Sequence, residues 1–100
     1  MFKFQRSGRV KNGKILEAIT WTKEITEYIN AKYSEVSLQA YSEVFCDLHT
    51  IYWWADYNDL ATLESIFTQL KSDEGYWAIV SKGLEWFIEG SFHDKLMSSI

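Results

Sequence analysis

The spacing of apolar residues changes repeatedly along this chain, and each change marks an element. From Phe2 to Val10, Phe2 and Phe4 alternate with Lys3 and Gln5, the two-residue period of a strand. Asn12-Gly13 is a turn signal that ends it. From Lys14 the period lengthens. Ile15, Leu16, Ile19, Thr22, Ile25, Thr26, Ile29 and Tyr33 recur at three and four residues, which predicts one face of an amphipathic helix. Glu17, Lys23, Glu24 and Glu27 fall off that stripe, while Trp21 and Tyr28 share one edge of the helix.

Alternation returns after the helix. Val36, Leu38, Ala40, Ser42, Val44 and Cys46 point one way, and Ser37, Gln39, Tyr41, Glu43 and Phe45 the other. Asp47 gives Cys46 to His49 turn character, and a second strand runs through Thr50-Ile-Tyr-Trp-Trp-Ala-Asp56. With Phe45 facing Thr50, Val44 pairs with Ile51, Ser42 with Trp53 and Ala40 with Ala55; Glu43 then meets Tyr52 and Tyr41 meets Trp54 on the other face. Asn58 or Asp59 caps a helix whose stripe is Leu60, Leu63, Ile66, Phe67 and Leu70. Lys71 to Gly75 breaks it, and a further helical piece carries Tyr76, Trp77, Ile79, Val80, Leu84 and Phe87 up to Gly90. In the tail, Phe92, Asp94 and Leu96 alternate with His93, Lys95 and Met97 as a last strand.

The order is β-α-β-β-α-β, a ferredoxin-like α+β fold: a four-stranded antiparallel sheet with helices on one face, in a single domain spanning residues 1–100. Helices cover one side only. The other bears Tyr41, Phe45, Tyr52 and Trp54 and needs cover, which a homodimer supplies.

Composition sharpens the picture. The chain is 47% hydrophobic and 17% aromatic, so some rings must be exposed, line a cavity or be covered by a second subunit, with the last two favoured. A net charge of −4 argues against a nucleic-acid partner, although Lys3, Arg6, Arg9, Lys11 and Lys14 gather near the start. The single Cys46 excludes an intramolecular disulfide and a cysteine-based zinc site, and no apolar run approaches a membrane span. With no apolar signal core in the first residues, a reducing cytoplasm is the expected setting. No phosphate loop, G-x-S-x-G elbow, H-E-x-x-H or paired C-x-x-C is present.

The basic first strand ending in RVKNGK, the hairpin EVFCDLHTIYWWADYNDL, the helical continuation DEGYWAIVSKG and the closing GSFHDKLMSSI together resemble the dimeric α/β-barrel superfamily. That group includes NIPSNAP-like and stress-responsive barrel proteins and the antibiotic-biosynthesis monooxygenases. The resemblance implies a homodimer whose sheets pack around a shared barrel, with a small-molecule cavity between sheet and helices in each subunit. The superfamily also resembles haem-degrading enzymes, which want an Asn, a Trp and a helical His around the ligand. Only His49, in the hairpin loop, and His93, near the last strand, are available here, so those roles are not carried over and no cofactor is expected.

Three constellations remain. Trp21, Trp53 and Trp77, with Ser42 as acceptor for the Trp53 indole and His93 in the wall, either form a pocket for a small apolar or aromatic ligand or are simply core; spacing favours core. Tyr41, Glu43, Phe45, Tyr52 and Trp54, with Asp56, read as a dimer interface rather than acid–base machinery, because that face needs cover. His93 and Asp94 point to opposite faces and do not form a dyad, and a metal site from Asp47, His49, His93 and Asp94 is not expected because it would need the hairpin tip and the last strand to converge. Fold does not select a function, and two readings follow. One is a homodimeric barrel binding a small apolar ligand. The other is a cofactor-free monooxygenase acting on an aromatic or polyketide-like substrate, in which His93 or Tyr52 would deprotonate it.

Overall fold

Alternation along the first strand sorts the whole sheet into two faces. The computed structural model describes residues 1–45 and 49–100. Its elements are β1 (Phe2–Arg9), α1 (Ile15–Lys32), β2 (Gln39–Ser42), β3 (Thr50–Tyr57), α2 (Leu60–Lys71), α3 (Glu74–Gly83) followed by a 3-10 turn (Leu84–Trp86), and β4 (His93–Ser98). The strands form one antiparallel sheet in the order β2-β3-β1-β4. The architecture is the expected α+β arrangement, with the second helical region divided into α2 and α3.

On one face, cross-strand neighbours make successive rows. Ala40, Trp53, Arg6 and Asp94 form one; Ala55, Phe4 and Leu96 the next; Ile51 and Gly8 another. This face meets the helices, and Ile51, Trp53, Ala55 and Tyr57 are buried there with Trp21, Ile25, Ile66 and Val80. The other face carries Tyr41, Tyr52, Ser7 and His93 in one row, and Gln39, Trp54, Gln5 and Lys95 in the next.

The hairpin register differs from the expected one by two residues. Ser42 pairs with Ile51 and Ala40 with Trp53, and the Glu43 amide donates to the Thr50 carbonyl at 3.1 Å. Pairing thus stops at Glu43 rather than at Phe45, because the connection has no glycine or Asn-Gly to close a tight turn. A shift of two keeps every side chain on its predicted face. Cys46 and Asp47 lie outside the described residues. The buried stripe of α1 is also rotated: Leu16 is 73% exposed, while Ala18 and Trp21 are buried.

That rotation follows from α3, which packs antiparallel against the Trp21–Tyr28 edge of α1. A Cβ at Gly75 would collide with the Tyr28 ring, and one at Gly83 with the Trp21 indole. Two glycines therefore let two large rings seat directly on α3. At one end of this seam lies Asp73, 5% exposed. Its carboxylate caps α3 by accepting from the Tyr76 amide at 3.0 Å. It also accepts from Tyr28 Oη at 2.7 Å and Tyr33 Oη at 2.5 Å, and meets Lys32 Nζ at 3.0 Å, all on or just after α1. Burial alone would raise this carboxyl, but Tyr33, Tyr28, the Tyr76 amide and Lys32 outweigh it and hold Asp73 well below the usual carboxylate range. Burial, aided by the Asp73 charge, pushes the Tyr33 phenol up to about 12.

A carboxyl whose folded pKa lies below its unfolded value stabilises the fold above the unfolded pKa and stops doing so as pH falls through the folded one. Asp73→Asn should therefore lower stability at neutral pH by about 1.5–3 kcal/mol, the scale of weakening hydrogen bonds from buried donors to a charged acceptor. The wild type should lose stability as pH falls below about 5, and Asp73→Asn should flatten that fall. Urea melts across pH measure both; an unchanged acid limb would show that Asp73 does not carry it.

Candidate ligand cavity

A cavity of about 420 Å³ lies between the covered face of the sheet and the helix layer. This is the size range of sites that enclose small organic molecules. Ala55, two residues along β3 from Trp53, is the small side chain of its lining. Trp21 of α1 and Trp77 and Val80 of α3 form walls, with Ile66 of α2 opposite. The half-exposed Trp77, Leu84, Arg6 and Asp94 among the lining residues mark the mouth.

One end is an aromatic cluster. Trp53 lies edge-on to Trp21 at 6.1 Å and stacks on Phe92 at 6.4 Å, and Phe87 touches Trp21 at 5.4 Å and Phe92 at 5.1 Å between ring centres. The Phe92 ring rests on Gly8, where a Cβ would stand 2.7 Å from it. Trp21 donates its indole N–H to the Ile79 carbonyl at 2.7 Å. Trp53 does not find a comparable acceptor: its buried Nε1 has no partner among the described residues. Ser42, expected to accept from it, is exposed one row away and pairs with Ile51.

The mouth is polar. Arg6 donates through Nε and Nη2 to the two oxygens of Asp94, at 2.8 and 2.9 Å, a bidentate pair between neighbouring strands. The bond to Asp94 raises the Arg6 guanidinium, against the opposing effect of burial. Burial raises the Tyr76 phenol, and Arg6 facing it opposes that rise.

Of the residues expected in a pocket, Trp21, Trp53 and Trp77 line this cavity; Ser42 and His93 do not. His93 alternates with the inward-facing Phe92 and Asp94, so it stands beside Ser7 on the open face. The candidate interface residues Tyr41, Tyr52 and Trp54 share that open face. Tyr52 Oη donates to the Glu43 carboxylate, Tyr41 Oη donates to Gln39 at 2.9 Å, and Lys3 Nζ sits 5.1 Å over the Trp54 ring. Phe45, just beyond β2, is 82% exposed. The residues that sequence reasoning missed are Arg6, Tyr76, Phe92 and Asp94. Parity could have found two of them: Phe2-x-Phe4-x-Arg6 and Phe92-x-Asp94-x-Leu96 each place one charge on an apolar stripe.

No protein-family profile and no curated protein matches the chain. Solved structures do. An uncharacterised NIPSNAP domain protein from Burkholderia xenovorans superposes with a TM-score of 0.83 at 16% identity, covering 100% of this chain and 95% of that one. A NIPSNAP family protein from Agrobacterium tumefaciens gives 0.81 at 15% identity, over 99% and 92% of the two chains. SnoaB, a cofactor-independent oxygenase from Streptomyces nogalater, gives 0.71 at 11% identity, over 98% and 91%. The chain has their ferredoxin-like fold. This agrees with the NIPSNAP- and monooxygenase-like resemblance carried by the sequence; at such identities the likeness concerns fold alone. No helix among the described residues is long and apolar enough to cross a membrane.

The Gly83–Trp21 contact sets the cavity wall, so Gly83→Ala should push the indole out of its seat. The expected cost is about 1–3 kcal/mol, as for overpacking elsewhere. A denaturant midpoint equal to wild type would show that the contact is loose.

Proposed function

We propose that this chain is a cytoplasmic homodimeric binding protein that takes a small apolar, aromatic ligand in the cavity of each subunit. The observation that carries the reading is the cavity itself: about 420 Å³, walled by tryptophan and aliphatic side chains and reaching the surface beside Trp77 and Leu84. Saturable quenching of tryptophan fluorescence by naphthalene tests it, and Leu84→Trp, which narrows the mouth, should weaken that binding. Quenching that is linear and equal in both proteins would contradict it.

Charge on the open face supports the dimer. Glu43 and Asp56 stand on the β2–β3 half, whereas Lys3, Arg9 and Lys95 stand on the β1–β4 half, with Lys3 Nζ 3.7 Å from Asp56 where the halves meet. A two-fold axis through this face lays the acidic half of one copy on the basic half of the other, around Tyr41, Tyr52 and Trp54. Sedimentation should show a dimer that Tyr52→Ala with Trp54→Ala converts to monomer. A dimer unchanged by the pair of substitutions would place the contact elsewhere.

A second reading, the cofactor-free monooxygenase, is favoured by one observation: titratable groups, Asp94 and Tyr76, stand in the cavity wall. His93 and Tyr52, the groups named from the sequence as bases, lie on the other face and cannot reach a bound substrate. Ligand-dependent oxygen uptake that Asp94→Asn abolishes would select this reading over simple binding.

A further inference from the structure

The cavity crosses one row of the sheet in which Trp53, Arg6 and Asp94 are successive cross-strand neighbours. Arg6 and Asp94 are the charged residues of its lining. Their bidentate pairing engages Nε and Nη2. The Tyr76 phenol takes a further hydrogen bond from the guanidinium, which leaves two of its five N–H groups for another acceptor. The Asp94 oxygens each accept one of these bonds and keep lone pairs for a further donor. Beside them, the Trp53 indole N–H is buried with no acceptor among the described residues. Apart from the Tyr57 and Tyr76 phenols the rest of the lining is apolar, so this row presents donors and an acceptor next to one another.

The net charge of that place decides what it can hold. Arg6 and Asp94 cancel, and no second cation among the described residues lines the cavity. A carboxylate entering here would leave water to face Asp94, and like charge and desolvation both oppose it. A hydrocarbon would strip water from the spare N–H groups and offer nothing in return. A neutral group with acceptor and donor side by side meets both requirements. Its acceptor takes an N–H of Arg6, and its donor gives to Asp94.

We propose that the ligand is an uncharged aromatic amphiphile whose polar end carries an acceptor beside a donor, as a primary carboxamide does, read by Arg6 and Asp94. This rests on the cavity being a ligand site and adds the ligand's charge and polar end.

Equilibrium dialysis of the whole chain against three probes with one ring system tests it: naphthalene-2-carboxamide, 2-naphthoate and naphthalene. The carboxamide should bind at least about ten-fold tighter than either other probe, the scale of one hydrogen bond to a charged group. Asp94→Asn turns the neutral pair into a net cation, so 2-naphthoate should gain and overtake the carboxamide. Arg6→Lys keeps the charge but loses the planar fork, and should reduce the carboxamide preference. Naphthoate binding the wild type as tightly as the carboxamide, or an order unchanged in Asp94→Asn, would overturn the proposal. Naphthalene matching the carboxamide would also overturn it while leaving the cavity a ligand site. Binding of none of the three would remove the cavity reading and the proposal with it.

Discussion

The Asp73 carboxylate is the interaction on which the helix layer depends. A carboxylate taken out of water is tolerated only when nearly all its lone pairs are filled. Here the donors come from two helices: Tyr28, Lys32 and Tyr33 from α1 and its end, and the Tyr76 amide from α3. The charge is therefore satisfied only when α1 and α3 lie side by side in one register. That register then seats Tyr28 on Gly75 and Trp21 on Gly83. The position of Trp21 fixes in turn the wall of the cavity and the edge-on contact with Trp53. A polar constraint at one end of the seam thus sets the shape of an apolar space further along it.

The sheet distributes the remaining work between its faces. Helices cannot cover both sides of a four-stranded antiparallel sheet in this topology, so the two faces meet different environments. On the covered face, the Phe92 ring fills the space over Gly8, and Ala55 lies in the lining of the cavity. On the open face, aromatic side chains and carboxylates share the β2–β3 half, and Lys3, Arg9 and Lys95 lie on the β1–β4 half. A row of the sheet that carries Trp53, Arg6 and Asp94 inward is bordered by rows that carry Tyr52, Trp54, His93 and Lys95 outward.

Much of this was legible in the sequence because strand parity is robust. Shifting the hairpin register by two residues changed every partner and no face, so the division into covered and open residues survived. The Trp21–Tyr28 edge was visible from helical spacing, although its partner was not, because glycines at 75 and 83 read only as breakers until α3 is seen against α1. Asp73 fell inside a stretch that read simply as a helix break; the donors it needs lie 40 and 45 residues earlier, beyond any local pattern. Arg6 and Asp94 were hidden in the same way, 88 residues apart in sequence and adjacent in the sheet. The expected Ser42 acceptor failed on register alone, since a different pairing puts it beside Ile51 instead of Trp53.

The central claim is that small aromatic molecules enter between sheet and helices and not on the open face. The indole N–H resonances of the five tryptophans report on both places at once. With naphthalene added to ¹⁵N-labelled protein, the account predicts that Trp21, Trp53 and Trp77 shift while Trp54 and Trp86 stay in place. Movement of Trp54 with Trp53 unmoved would contradict it.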